Sequence, residues 1–286
     1  VIPYDRALAL KIDPARQTYD ARDTILYALG LGLGDAPTDP GQLAYLWEEK
    51  LTAFPTMPVA LAFRSMRDIP LEIDYSRLVH GAQGLVIHKP LPVAGTVIGT
   101  TTVRDVIDRG ADKGALIYLD RDLHDEATGD LLATVKMTAF CRGDGGVEGA
   151  PARDTPAVHP IPDRPADVTA EVPVLPQLAL IYRLSGDLNP LHIDPALAAK
   201  VGFEAPILHG LATFGLAGRA LVEHVLDWNA QGLREIAARF SAPVYPGETL
   251  KIEIWRDGGT ASFRATSLQR DKVVLNNGYA RLDGAG

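Results

Sequence analysis

The segment YRLSGDLNPLHIDPALAAKVGFEAPILHGL, residues 182–211, brings an acid, an amide and two imidazoles (Asp187, Asn189, His192, His209) into a run shaped by Gly and Pro. Its local signals are dense. Gln177 to Leu184 reads as a helix stopped by Ser185-Gly186. LNPLHID reads as a loop, because Pro190 disfavours helix at the residue before it. Asp194-Pro195 opens a second helix, with Asp as N-cap, Pro at the first helical position and Gly202 as the stop. FEAPILHG is a second loop. Gly210 then starts the longest helix, continuing as LATFGLAGRALVEHVLDW, in which Gly215, Ala217 and Gly218 leave one face narrow enough for close packing.

Strands follow that helix. REIAARFSAPV, ETLKIEIWRD, TASFRATSLQR and KVVLNNGYARL carry strand patterns separated by YPG, DGG and RD turns. The first half reads as a looser version of the same plan. DTILYALGLGL (23–33) is a helix capped at Asp23 or Thr24, and DAPTDPG breaks it. LAYLWEEKL fits helix or strand, and TAFPTMPVALAFRSM is a loop entering a short helix. Residues 78–110 turn to Thr/Val/Ile-rich strand character. ALIYLDRDLHDEATGDLLATVKMTAFCRG gives two strands joined at ATGD. Ala115, Ile117 and Leu119 fall on one face and Leu116, Tyr118 and Asp120 on the other.

Between the halves, GDGGVEGAPARDTPAVHPIPDRPAD (143–167) is rich in Gly, Pro, Ala and Asp and lacks periodicity, as a linker does. It divides the chain into 1–142 and 168–286. Three short matches recur in the same order on either side. Ile25–Leu29 resembles Leu180–Leu184, Val79-His80-Gly81 resembles Leu208-His209-Gly210, and Lys89–Val97 resembles Ala242–Leu250. The spacings differ, with 53 residues from Tyr27 to His80 and 27 from Tyr182 to His209. Two copies of one α+β unit are expected, the first modified by insertion. Aligned on the tyrosines, Asp187 faces Gly32 and His192 faces Pro37. The first copy therefore lacks the acid and the imidazole, and is expected to support or hold substrate.

Composition narrows the function classes. The 286 residues are 47% hydrophobic and 22% charged, with net charge −8. That balance excludes nucleic-acid binding by general electrostatics. The single cysteine, Cys141, excludes an intrachain disulfide and a cysteine metal site and fits a cytoplasmic setting. No apolar run approaches the ~20 residues of a membrane helix. Val1 opens into a charged, proline-containing segment without a signal-peptide pattern, and the missing start Met suggests a chain that is trimmed or lacks its first residues. The final DGAG is not a peroxisomal or ER address.

The polar cluster suits acid–base chemistry. A carboxylate and an imidazole converging on a bend can hold a water, remove its proton and deliver a proton elsewhere. Asn189 can anchor that water or orient the acid. Gly210 at a helix start offers an unpaired N–H at the positive end of the dipole, where it can stabilise an oxyanion. Each residue also has a plain structural reading. Asp187 is then a turn residue, His192 a satisfied polar group, His209 a holder of loop geometry and Asp194 only an N-cap. No G-x-S-x-G elbow makes Ser185 a nucleophile, GLGLG (30–34) is not a dinucleotide fingerprint, and His192-x-Asp194 with His209 matches no specific metal signature.

Tyr182–Pro195 followed by Phe203–Gly210 resembles the signature of MaoC-like, type-2 (R-specific) enoyl-CoA hydratases, and Phe240–Leu250 is similar to the family's strand entry. The resemblance implies a double hot-dog fold, with two antiparallel sheets each wrapped around a long central helix. It implies reversible addition of water to trans-2-enoyl-CoA, giving (R)-3-hydroxyacyl-CoA. Asp187 and His192 would be the catalytic pair, Asn189 would position the water, and the Gly210 amide would polarise the thioester carbonyl. The first half would give room for a bulky acyl chain. Arg183, His209 and Lys89 are candidate substrate contacts, with Arg219 a further candidate for the CoA phosphates. No metal or organic cofactor is expected, CoA being part of the substrate, and the chain is expected to form a homodimer. The alternatives on the same fold are a non-catalytic acyl-CoA-binding subunit and a hot-dog thioesterase.

Overall fold

Alternation of buried and half-buried residues marks the strands of the computed structural model, which describes residues 1–283; the last three residues of the DGAG terminus lie outside them. In the first half the strands are β1 (Ala15–Tyr19), β2 (Leu78–Ile87), β3 (Gly95–Asp108), β4 (Ala115–Asp125) and β5 (Leu131–Cys141). In the second half they are β6 (Val168–Pro173), β7 (Leu233–Phe240), β8 (Thr249–Asp257), β9 (Thr260–Ser267) and β10 (Lys272–Leu282). On β4 the inner residues Ala115, Ile117 and Leu119 are buried and the outer Leu116, Tyr118 and Asp120 half-buried, as alternation requires.

The α+β double hot-dog is present, but its two sheets are joined. One ten-stranded sheet runs β1-β3-β4-β5-β2-β7-β10-β9-β8-β6. Read inward from either edge, the halves have the same order, β1-β3-β4-β5-β2 and β6-β8-β9-β10-β7. They meet where β2 pairs antiparallel with β7, from Ala82 opposite Arg239 to Val86 opposite Glu235.

The helices are α1 (Tyr4–Leu8), α2 (Ala21–Leu29), α3 (Pro40–Leu43), α4 (Leu178–Tyr182), α5 (Pro195–Lys200) and α6 (Gly210–His224). Only α6 is long, which corrects the expectation of a long central helix in each half. The first half offers single 3₁₀ turns at Met57–Val59 and Met66–Asp68 between strands β1 and β2. Pro55, Pro58 and Pro70 withhold helical N–H donors there, and Ala62 and Glu72 adopt positive φ. Residues Leu211 to Val222 of α6 are all buried. The helix packs on β6, β7 and β8 and reaches β2 across the seam.

The small face of α6 receives the first half. A Cβ on Gly215 would lie 2.4 Å from a Leu31 methyl, and one on Gly218 would lie 2.6 Å from the Thr56 methyl. Thr56 is held in turn by the Tyr27 hydroxyl at 2.9 Å. Tyr27 of α2 and Tyr182 of α4 pack with ring centroids 5.8 Å apart, so the two tyrosines of the repeat face each other.

Two of the three repeat matches hold in space. The tyrosine helices correspond, and so do the β2–β3 and β7–β8 connections. The third does not. Val79-His80-Gly81 lies inside strand β2, whereas Leu208-His209-Gly210 leads into α6. Shared letters there reflect different backbone conformations.

Candidate active site

Two short turns and the start of α6 carry the polar cluster. The turn Arg183–Ser185 ends at Gly186, whose φ of +129° only glycine adopts without strain, and this swings Asp187 out of the helical path. Asn189 caps the turn Pro190–His192, its Oδ1 accepting from Leu191 N–H at 3.1 Å. Its backbone N–H donates to Asp187 Oδ1 at 3.1 Å. The side-chain Oδ1 thus serves the local turn, and Asn189 orients the acid through its main-chain N–H. Asp194 is the N-cap of α5, accepting from Ala196 N–H at 2.8 Å.

The second loop is pinned from behind. Leu208 N–H donates to Val244 O at 2.7 Å, which ties the residues before α6 to the β7–β8 connection. That connection is held by Glu248, whose carboxylate accepts from Tyr245 N–H at 3.1 Å and pairs with Arg270. Burial opposes the Glu248 charge, but Arg270 and the Tyr245 N–H outweigh it and hold the carboxyl below its ordinary range.

These anchors bring Asp187, His192 and His209 together. His192 Nδ1 donates to Ile207 O at 2.8 Å, which leaves Nε2 with its lone pair facing Asp187 Oδ2 at 4.0 Å. His209 Nε2 donates to the Asp187 carbonyl at 3.0 Å. The two imidazoles stack at 3.7 Å with planes 27° apart, and Tyr182 packs against His209 at 5.1 Å. Burial lowers the pKa of His192, opposed by the Ile207 carbonyl and Asp187. Burial also lowers His209, to about 3, with help from His192 and Arg183. Both rings are therefore neutral near pH 7. Gly210 sits at the first position of α6, where its N–H has no acceptor within the helix. A Cβ there would meet the Phe240 ring at 3.3 Å, so a glycine keeps this approach open.

A water oxygen about 2.8 Å from both Asp187 Oδ2 and His192 Nε2 fits their separation. Donor atoms of Asp187, His192 and His209 also lie within 4.8 Å of one another, close enough for a metal. One nitrogen of each ring is already engaged by a main-chain carbonyl, His192 Nδ1 by Ile207 and His209 Nε2 by Asp187.

The tentative contacts fare differently. Arg183 lies beside the cluster, with Nε buried and unpartnered. Lys89 is paired with Asp130 at 2.6 Å across the β4–β5 turn and touches none of the cluster. Arg219 is buried against Asp35, with both carboxylate oxygens at 2.9 Å, and approaches Glu223 at 3.5 Å, so it is not available to phosphates.

The sequence reading missed a second polar group. Beneath the 59–69 turns, on the inner face of β2–β5, a cavity of about 30 Å³ is lined by His80, Gln83, Thr101 and Arg121 among apolar residues. The signal was present in the alternation. Arg121 continues the series Ala115, Ile117, Leu119, and so had to point inward.

A double hot-dog carrying one acid–imidazole site beside a helix N-terminus defines a class of acyl-thioester hydrating enzymes. The comparisons agree. The MaoC-like domain matches residues 157–277, and the multifunctional enzyme hydratase 2 N-terminal domain matches residues 17–143. The 3-hydroxyacyl-thioester dehydratase Y of Mycobacterium tuberculosis is 41% identical over 93% of each chain. The peroxisomal enoyl-CoA hydratase 2 of Arabidopsis thaliana is 35% identical over 98% of this chain and 95% of its own. A MaoC-like dehydratase from Phytophthora capsici superposes with a TM-score of 0.87 at 34% identity, over 98% of each chain. The chain belongs to the MaoC-like hydratase 2 family.

Proposed function

We propose that this chain is a hydro-lyase that adds water reversibly to trans-2-enoyl-CoA, giving (R)-3-hydroxyacyl-CoA. The observation that carries this reading is the 4.0 Å gap between His192 Nε2 and Asp187 Oδ2 beside the free N–H of Gly210. In hydration, a water held in that gap attacks C3 of the enoyl group. Neutral His192 accepts a water proton, and Asp187 stabilises the imidazolium that forms. Electron density moves to the thioester oxygen, which the Gly210 N–H meets at the positive end of α6. A donor of this kind typically lowers the barrier by about 3–4 kcal/mol. The proton is then delivered to C2, so that OH and H have added across the double bond.

His209 acts as a positioning residue. It fixes the Asp187 main chain and stacks under His192. Asn189 sets the carboxylate orientation through its N–H. No metal or organic cofactor enters this reading. We also assign a homodimer in the cytoplasm, supported by the exposed Leu180, Leu184 and Leu188 beside the site and by the buried Cys141; light scattering and cell fractionation test the two assignments.

The test is hydration of crotonyl-CoA, read as loss of absorbance at the enoyl thioester band, with and without EDTA. Asp187→Asn and His192→Gln should each cut turnover by about a hundredfold or more while acyl-CoA binding persists, and EDTA should have no effect. Unchanged turnover in both variants would sink the assignment. Binding without any absorbance change in the wild type would favour an acyl-CoA-binding subunit, and free thiol would favour a thioesterase.

A further inference from the structure

The cavity in the first half holds a charge without a counter-ion. Arg121 on β4 faces Thr101 of β3 in register and is 8% exposed. One terminal nitrogen donates to Val59 O at 2.8 Å and reaches Pro58 O at 3.4 Å, and the guanidinium lies over the Phe63 ring at 5.9 Å, but Nε is buried with no partner. Among the described residues no carboxylate lies within ion-pair distance of it, and none lines the cavity. Arg64 also lines the wall, with its guanidinium donating outward to Asp13 O at 2.7 Å. Burial alone pushes the Arg121 pKa down to about 10, so the group remains charged at neutral pH. A buried charge is costly unless it is paired and hydrogen-bonded.

The other polar groups there are donors or neutral. Thr101 and Gln83 are buried, and His80 Nε2 has no partner. The free space of about 30 Å³ suits a group of two or three heavy atoms, roughly two waters at ~10–15 Å³ each. The cavity adjoins the site. Leu211, next to Gly210, forms part of its wall. The His80 ring packs 4.7 Å from Phe240, which in turn borders Gly210.

We propose that this cavity receives the far end of the acyl group, and that the preferred acyl group is a short chain ending in a carboxylate paired with Arg121. Thr101 donates to the same carboxylate, as does the second amide hydrogen of Gln83, whose first is given to Gly84 O at 2.9 Å. A methyl terminus would leave the guanidinium against hydrocarbon, and a neutral polar terminus would leave its charge unmatched. The proposal rests on the hydratase reading of the neighbouring site.

A series of trans-2-enoyl-CoAs of increasing length tests it, each made as the ω-carboxylate, its methyl ester, the ω-alcohol and the methyl-terminated chain. At one length the wild type should show kcat/KM at least about tenfold higher for the carboxylate than for the ester. In Arg121→Met that ratio should collapse towards unity, and Arg121→Lys should keep part of it. Equal values for acid and ester throughout the series, equal values for acid and alcohol, or a ratio unchanged in Arg121→Met would overturn the proposal. If Arg121→Met does not fold, the wild-type ratios and Arg121→Lys decide. If the wild type hydrates none of the series, the hydratase reading fails separately. Calorimetric binding of the saturated ω-carboxyacyl-CoA against its ester then still reads the cavity.

Discussion

Three histidines, His192 and His209 buried and His80 half-buried, are held in the neutral form near pH 7, each in a different setting. His192 faces Asp187 with its Nε2 lone pair, His209 holds the Asp187 main chain, and His80 lines the cavity in the other half. Burial pushes His80 down from 6.5 to about 4. Between those values the unfolded chain takes up a proton that the folded chain refuses. The stabilising contribution is complete above pH 6.5 and is lost as pH falls through about 4. Unfolding free energies from urea titrations should therefore fall on acidification over that window, with His80 contributing about 1.4 kcal/mol per pH unit. His80→Gln should flatten the slope by one such increment, and an unchanged slope would remove His80 from the account. At this scale much of the site was legible. Asp187 and His192 stood out as polar residues in a run bent by Gly and Pro. The Ile207 carbonyl that fixes the His192 tautomer did not, because it depends on how two loops fold over each other.

Helix α6 was readable from its Gly210 start and its small face, but not the identity of what would fill that face. Leu31 and Thr56 come from the other half of the chain, across more than 150 residues of sequence. Gly218→Ala should gain helix propensity of roughly 1 kcal/mol. It should lose more through overpacking on the Thr56 methyl, typically about 1–3 kcal/mol. Thr56→Ser removes that methyl and keeps the hydroxyl that meets Tyr27. The double variant should therefore recover stability that Gly218→Ala loses, measured as a double-mutant cycle in urea. Other elements were harder to read. Strands β1 and β6 are only 5 and 6 residues long, too short for alternation to separate them from lead-in segments. Helix α2 begins earlier than its apolar face suggests. Asp20 is its cap, and Asp23 completes the capping box from the first turn.

The halves of the molecule are separable in the sequence and continuous in the structure. The linker composition marked the boundary, yet β2 pairs with β7 and the first half packs on α6. Residues 151–158 of the linker are exposed. Cleavage at a specific protease site placed at 154–157 should leave both fragments together in gel filtration and active on crotonyl-CoA, separating only in denaturant. Fragments that part under native conditions would contradict the role given to the seam. The repeat was legible through its tyrosines and its β2–β3 and β7–β8 connections. It misled at His80-Gly81, because two matching letters cannot report whether the backbone is strand or helix entry.

The location of the cavity has a consequence for how such a protein changes over generations. Its wall comes from the first half apart from Leu211, while the reacting groups belong to the second. On the proposed reading, substitutions that alter which acyl end is welcomed fall in one part of the gene, and those that would damage the chemical step fall in the other. Selection can explore diet without risking digestion, and exchange of residues 1–142 between relatives becomes a route for transplanting appetite alone.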